Sequence, residues 1–139
     1  MPADLENNDD RGVSTVFIVD PDEAMTRHLA ELLSALGAEV QVFTTAAAML
    51  DAPGPAPACV ISELELPDMS GIELIAALRS RQVRSPVILL AADGEIATAV
   101  KAMRAGALDF IEKPHVDRLL AWHVGRLLEH ATPGDRSQG

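Results

Sequence analysis

The sequence predicts an α/β fold: a doubly wound, five-stranded parallel sheet in the order 2-1-3-4-5, with five flanking helices. Three observations predict it. Short apolar runs alternate with longer amphipathic ones along the chain, the pattern of parallel strands joined by right-handed helical crossovers. The first, third and fourth apolar runs are hydrophobic on both faces, as interior strands are, whereas the second and fifth are half polar and suit edges. At 139 residues, the chain has room for one ordinary domain.

The elements follow in order. Thr15-Val16-Phe17-Ile18-Val19 reads as a strand. Residues 20–36 place Met25, Leu29, Leu32, Leu33 and Leu36 on one helical stripe, and Gly37 ends the helix. Val40 and Val42 alternate with Glu39 and Gln41 in a half-exposed strand. A short helix over 45–50 runs into a loop with Pro53, Pro55 and Pro57. Residues 58–61 form a buried strand, and 70–80 a helix opened by a Ser70/Glu73 capping box. Residues 87–91 are a strand apolar on both faces. Residues 95–105 are a helix expected to bury Ile96, Ala99, Val100 and Met103, with Gly106 after it. Residues 107–112 form the last strand and 116–130 the last helix. The polar ends, 1–13 and 132–139, are expected to be a disordered tail and a disordered tail or linker around a domain spanning 14–131.

Composition limits the function. Eleven Lys and Arg against twenty-one Asp and Glu give a net charge of −10, which argues against nucleic-acid binding by this domain. The four aromatics, Phe17, Phe43, Phe110 and Trp122, supply little for stacking on bases. A lone Cys59 excludes an internal disulfide and fits a reducing cytoplasm; buried in an apolar strand, it should be inert. The N-terminal stretch lacks the basic and apolar regions of a signal peptide. No apolar run approaches the roughly 20 residues of a membrane span, so no membrane association is expected.

A sheet of this order opens its crevice at the carboxyl ends of strands one, three and five. Three stretches there carry a resemblance: Val19-Asp20-Pro21-Asp22-Glu23, Leu66-Pro67-Asp68-Met69-Ser70-Gly71-Ile72-Glu73-Leu74, and Ala102-Met103-Arg104-Ala105-Gly106-Ala107-Leu108-Asp109-Phe110-Ile111-Glu112-Lys113-Pro114. Together, and in this order, they resemble the receiver domains of two-component response regulators, the CheY-like (flavodoxin-like) fold. The local wording is most similar to receivers that precede LuxR-type DNA-binding domains.

The resemblance implies a phosphorelay site. A histidine kinase passes a phosphoryl group to an Asp ending strand three; two acids after strand one hold Mg²⁺; a Thr or Ser ends strand four, and a Lys ends strand five. Such chemistry is positioning and charge neutralisation. Transferred position by position, Asp20 matches the first acid and Lys113 the lysine. Pro21 stands where the second acid belongs, Glu63 at the phosphoacceptor position, and Ala91 in place of the hydroxyl residue. Pro114 matches a position where the family carries a cis peptide. Phe110 matches the aromatic switch position.

Each departure has physical content. Pro21 offers no side-chain oxygen to a hard cation, so Mg²⁺ is disfavoured, with Asp20 alone a weak candidate ligand. The same segment also reads as a helix start, with Asp20 as N-cap, Pro21 at the first position and Glu23 completing a capping box. Glu63 carries its carboxylate one methylene further out, roughly 1.5 Å by bond lengths, which in-line attack tolerates poorly. It is expected either to pair with Lys113 or to be solvated at the loop. Ala91 cannot bind a phosphoryl oxygen. Phe110, without a hydroxyl, is expected to pack inward.

Other residues point to partners. On the last helix Val116, Leu119, Leu120, His123, Val124 and Leu127 form the inward stripe, leaving Trp122 off-centre, as an anchor for a partner or lying along its own helix. Lys101, Arg104, Asp109 and Arg118 are candidates for ion pairs across a homodimer. The histidines show no metal-ligand spacing, and His115 with Asp117 resembles no catalytic triad. The expectation is therefore a non-enzymatic, atypical receiver that is not phosphorylated and acts by protein contact or dimerisation. The rivals are a phosphoacceptor using Glu63, Glu65 or Asp68, and the front of a longer DNA-binding regulator.

Overall fold

A computed structural model describes residues 14–131. The two tails assigned from sequence lie outside the described residues. Five parallel strands, β1 (Thr15–Val19), β2 (Glu39–Phe43), β3 (Cys59–Glu63), β4 (Val87–Ala91) and β5 (Asp109–Glu112), pair in the order β2-β1-β3-β4-β5. The helices between them are α1 (Glu23–Ala35), α2 (Ala46–Leu50), α3 (Gly71–Ser80), α4 (Ile96–Arg104) and, after a 3₁₀ turn Lys113–His115, α5 (Val116–Ala131). This is the doubly wound sheet with five helices that the sequence predicts.

The period of two in a strand makes the sheet a shared wall between two cores. Val16, Ile18, Cys59, Ile61, Ile88, Leu90 and Ile111 point to one side, against Leu29 and Leu33 of α1 and Val116, Leu120 and Val124 of α5. Phe17, Val19, Val60, Val87 and Leu89 point to the other, against α2, α3 and Ala102 of α4. Every residue of β1, β3 and β4 is buried, while β2 and β5 are partly exposed edges. At the amino ends of the strands Arg79 donates to the Val83 and Ser85 carbonyls at 2.9 and 3.0 Å, and the Ser85 hydroxyl donates to the Pro57 carbonyl at 2.6 Å.

Several local expectations are corrected. The N-cap of α1 is Asp22, not Asp20: its side chain accepts from the Met25 amide, so Pro21 precedes the helix and the expected Asp20/Glu23 box does not form. Asp20 is drawn away by an Asx turn, its Oδ1 accepting from the Asp22 amide at 2.9 Å. Leu36, the C-cap residue, is exposed, and Gly37 follows with φ +100°, a conformation that favours glycine. Helix α4 turns the expected stripe outward: Ile96 is 82% exposed, and Val100 and Met103 are nearly half exposed, while Ala102 is buried. Its small side chains meet the sheet and its large ones do not. On α5 Leu119 is likewise exposed rather than inward. Pro114 is the second residue of the 3₁₀ turn Lys113–His115, where a missing backbone donor costs no bond within the turn.

Candidate functional site

The crevice lies where the chain leaves the carboxyl ends of β1, β3, β4 and β5, a cavity of about 630 Å³. Its floor is set by backbone pairing. The Asp20 amide donates to the Phe43 carbonyl at 3.0 Å, and the Leu64 amide to the Leu90 carbonyl at 2.7 Å, which fixes the residues on either side. Asp20 is only 2% exposed and Glu63 is buried beside it. Lys113 reaches in from the end of β5. Its ammonium bonds Glu63 Oε1 and faces Asp20 Oδ2 at 3.4 Å. The other Glu63 oxygen accepts from the Glu65 amide at 3.3 Å.

Burial, only partly offset by the Asp22 amide and the Lys113 charge, holds the Asp20 carboxyl above its ordinary value. For Lys113 burial acts downward, but the hydrogen bond to Glu63 and the charges of Asp20 and Glu63 outweigh it and raise the ammonium's pKa. The buried Cys59 thiol is pushed up to about 12 by desolvation.

The structure thus brings Asp20, Glu63 and Lys113 into contact, with Pro21 and the buried Ala91 also lining the crevice. Among the described residues no three His, Cys, Asp or Glu side chains cluster, and Pro21 contributes no side-chain oxygen where a second acid would stand, which leaves a hard cation one ligand fewer at this crevice. Asp68, a rival phosphoacceptor in the sequence reading, is committed elsewhere. Its carboxylate caps α2, accepting from the Ala46 and Ala47 amides at 3.1 and 2.9 Å. These bonds, the Ala47 one first, hold its pKa low.

A second concavity opens on the α4–β5–α5 face, lined by Ile96, Val100, Met103, Phe110 and Leu119. Phe110 is half-buried there, packed on the core beneath α4. Lys101, Arg104 and Arg118 are exposed and make no ion pair among the described residues. Asp109 is not free for a cross-subunit pair: it meets His123 Nε2 at 2.8 Å and also accepts from the Phe110 amide. Trp122 is 58% exposed, with the Arg126 guanidinium 5.1 Å from its ring centre and the His123 ring packed edge-on. It therefore lies along its own helix and still shows a face to solvent.

Sequence reasoning missed the His123–Asp109 pair and the His28–Asp117 contact at 2.8 Å that ties α1 to α5. It also missed Asp93 and Glu95, which line the crevice. Their position just past β4 was the available signal, since every loop at that end of the sheet meets the crevice.

The fold and this crevice define a receiver of the CheY-like type. Residues 16–123 match the response regulator receiver domain, and the chain belongs to that family. It is 36% identical over 124 residues to the transcriptional regulatory protein FixJ of Bradyrhizobium diazoefficiens, covering 88% of this chain and 60% of that protein. It is 34% identical to the response regulator protein TodT of Pseudomonas putida, over 96% of this chain and 58% of that protein. The chain thus spans about three fifths of these curated relatives. Among solved structures, a response regulator receiver protein from Pseudoalteromonas atlantica superposes with a TM-score of 0.77 at 35% identity, covering 85% of this chain and 99% of that one. FixJ-N superposes with a TM-score of 0.70 at 37% identity, covering 84% and 94%.

Proposed function

We propose that this chain is an atypical receiver of a two-component system, one that takes up no phosphoryl group and signals in the cytoplasm through protein contact. One observation carries the reading: the carboxylate at the phosphoacceptor position, Glu63, is bonded to the Lys113 ammonium rather than left free to attack phosphorus. A phosphoryl group entering there would meet Asp20, Glu65, Asp93 and Glu95, with Pro21 in place of an acid that would help hold a neutralising cation. Ala91 gives no hydroxyl with which to relay its arrival.

The exposed apolar side chains of α4 and Leu119 of α5 supply a surface for that contact, with a second copy or a signalling partner such as a histidine kinase as occupant. The test is incubation with Mg²⁺ and acetyl phosphate, read by intact mass. An unchanged mass is expected; a stoichiometric, acid-labile adduct on Glu63 overturns the proposal.

A second reading is favoured by the relatives. FixJ is a transcriptional regulatory protein of which this chain matches 60%, so the domain would serve as the front of a longer DNA-binding regulator. The genomic reading frame around this segment decides it.

A further inference from the structure

Helix α4 turns its large apolar side chains away from the core. Ile96, Val100 and Met103, spaced i, i+4, i+7, form an exposed ridge along it. Leu119 of α5 is exposed as well, and with Phe110 of β5 these side chains line a concavity of about 700 Å³. Charge is the second, independent observation. The chain carries a net charge of −10, yet Arg104 lines this concavity, with Lys101 one turn before it on α4 and Arg118 beside Leu119 on α5, all exposed. Together with Arg84, these are the Lys and Arg side chains without a hydrogen bond, ion pair or ring contact among the described residues. The acids of β5 and of the first turn of α5 are engaged within the chain: Asp109 with His123, Glu112 with the Gly94 amide, and Asp117 with His28. Glu95, at the head of α4, lines the crevice instead.

We infer that this concavity takes an amphipathic helix of a protein partner, one whose apolar stripe is bordered by Asp or Glu. A contiguous apolar patch rimmed by polar side chains marks an interaction site. A ridge with helical spacing accepts the side chains of a second helix laid into its groove, and carboxylates beside that helix's stripe would meet Arg104 and Arg118. Charges more than about 8 Å apart are largely screened at physiological salt, so these cations, rather than the net charge, select what docks. A second copy fits less well. An isologous contact sets the face on itself, cation toward cation, and the acids that would relieve it already have partners. The inference deepens the proposed function, naming the partner chemistry, and rests on its reading of α4 and α5 as the contact surface.

The full chain is titrated at about 0.15 M salt with a fluorescein-labelled peptide of two Glu-Leu-Ala-Glu-Leu-Leu-Ala repeats, read by anisotropy. Two comparison peptides carry Lys for every Glu, or Ser for every Leu. The variant R104Q/R118Q is set against R27Q/R84Q, which removes equal charge from the exposed surface elsewhere, and V100S/L119S removes apolar surface. Circular dichroism verifies that each is folded. The Glu peptide is expected to bind more tightly than either comparison peptide. R104Q/R118Q should weaken it about fivefold, as loss of two exposed charge pairs does, R27Q/R84Q much less, and V100S/L119S by more than about tenfold. A Lys or Ser peptide that binds as tightly, or equal weakening by both arginine doubles, overturns the inference. So does a chain that sediments alone as a dimer and is dissociated by V100S/L119S, an outcome that leaves the proposed function standing with a second copy as occupant. Absence of both peptide binding and self-association, or binding to phosphatidylserine vesicles that V100S/L119S abolishes, overturns the inference together with the reading of this face as a protein contact. A phosphoryl adduct on Glu63 with peptide binding intact overturns the proposed function alone.

Discussion

Replacing Lys113 with methionine removes the only cation between two buried carboxylates while keeping an unbranched, apolar stem. At 3.4 Å from Asp20, the gross attraction is about 5 kcal/mol at an effective dielectric of about 20. Most of that is cancelled, because the variant no longer has to desolvate an ammonium. What remains is chiefly the lost charge-assisted hydrogen bond to Glu63, about 1.5–3 kcal/mol, plus repulsion between Glu63 and Asp20. Proton uptake limits that repulsion. A net loss of about 3 kcal/mol follows, short of the upper range for deeply buried pairs because the Lys113 side chain is 21% exposed. In a domain of this size that lowers Tm by roughly 10 °C.

Urea unfolding of wild type, K113M, E63Q and K113M/E63Q at pH 7 gives the double-mutant cycle. The double variant should be less damaged than K113M alone, because it no longer holds two unpaired carboxylates together. The raised ammonium pKa sets the pH window: the stabilisation is whole below the ordinary Lys value of 10.5 and is lost as pH rises through the higher folded value. A loss below about 1 kcal/mol for K113M, or a coupling under about 0.5 kcal/mol, would refute the reasoning.

Three further outcomes are expected. Asp20 has a raised folded pKa, so its contribution is favourable below the ordinary Asp value of 3.8 and is lost as pH climbs through the folded value. Asp20→Asn should therefore stabilise the domain at pH 7 by about 1 kcal/mol, with the gain vanishing in melts at acid pH; a destabilised variant at neutral pH contradicts this. Gly71→Ala would bring a methyl group to 2.6 Å from the fully buried Leu89 and 3.0 Å from the Glu63 carbonyl, costing about 1–3 kcal/mol in denaturant unfolding. Cys59, with its thiol pKa near 12 and no exposure, should react with a disulfide reagent at pH 8 far more slowly in native protein than in urea.

The sheet was legible because strand burial is written in composition: runs apolar on both faces can only be interior, and their order followed. Helix detail was less legible where two residues satisfy one rule. Asp20 and Asp22 both fit an N-cap, and only the fold shows that Asp20 belongs to the crevice floor. Helix α4 misled for another reason. Its stripe of Ile96, Val100 and Met103 is real, but periodicity reports which side chains share a side and not what lies opposite. Here Ala102 sits about 120° away and meets the sheet, since small side chains allow close approach. At the site, the residues that approach Lys113 were identifiable from position, whereas the roles of Asp68, Asp109 and His123 depend on contacts between elements distant in sequence.

The two ends of the strands are fastened by different physics. At one, the Arg79 guanidinium and the Ser85 hydroxyl donate to backbone carbonyls and stitch the loops; at the other, a lone ammonium holds acids that repel one another. The carbonyl acceptors at the first end do not titrate, whereas cohesion at the crevice depends on Lys113 keeping its proton. The molecule behaves as a hinge with one riveted and one magnetic leaf, and opening as pH rises through the raised Lys113 value should begin at the magnetic one.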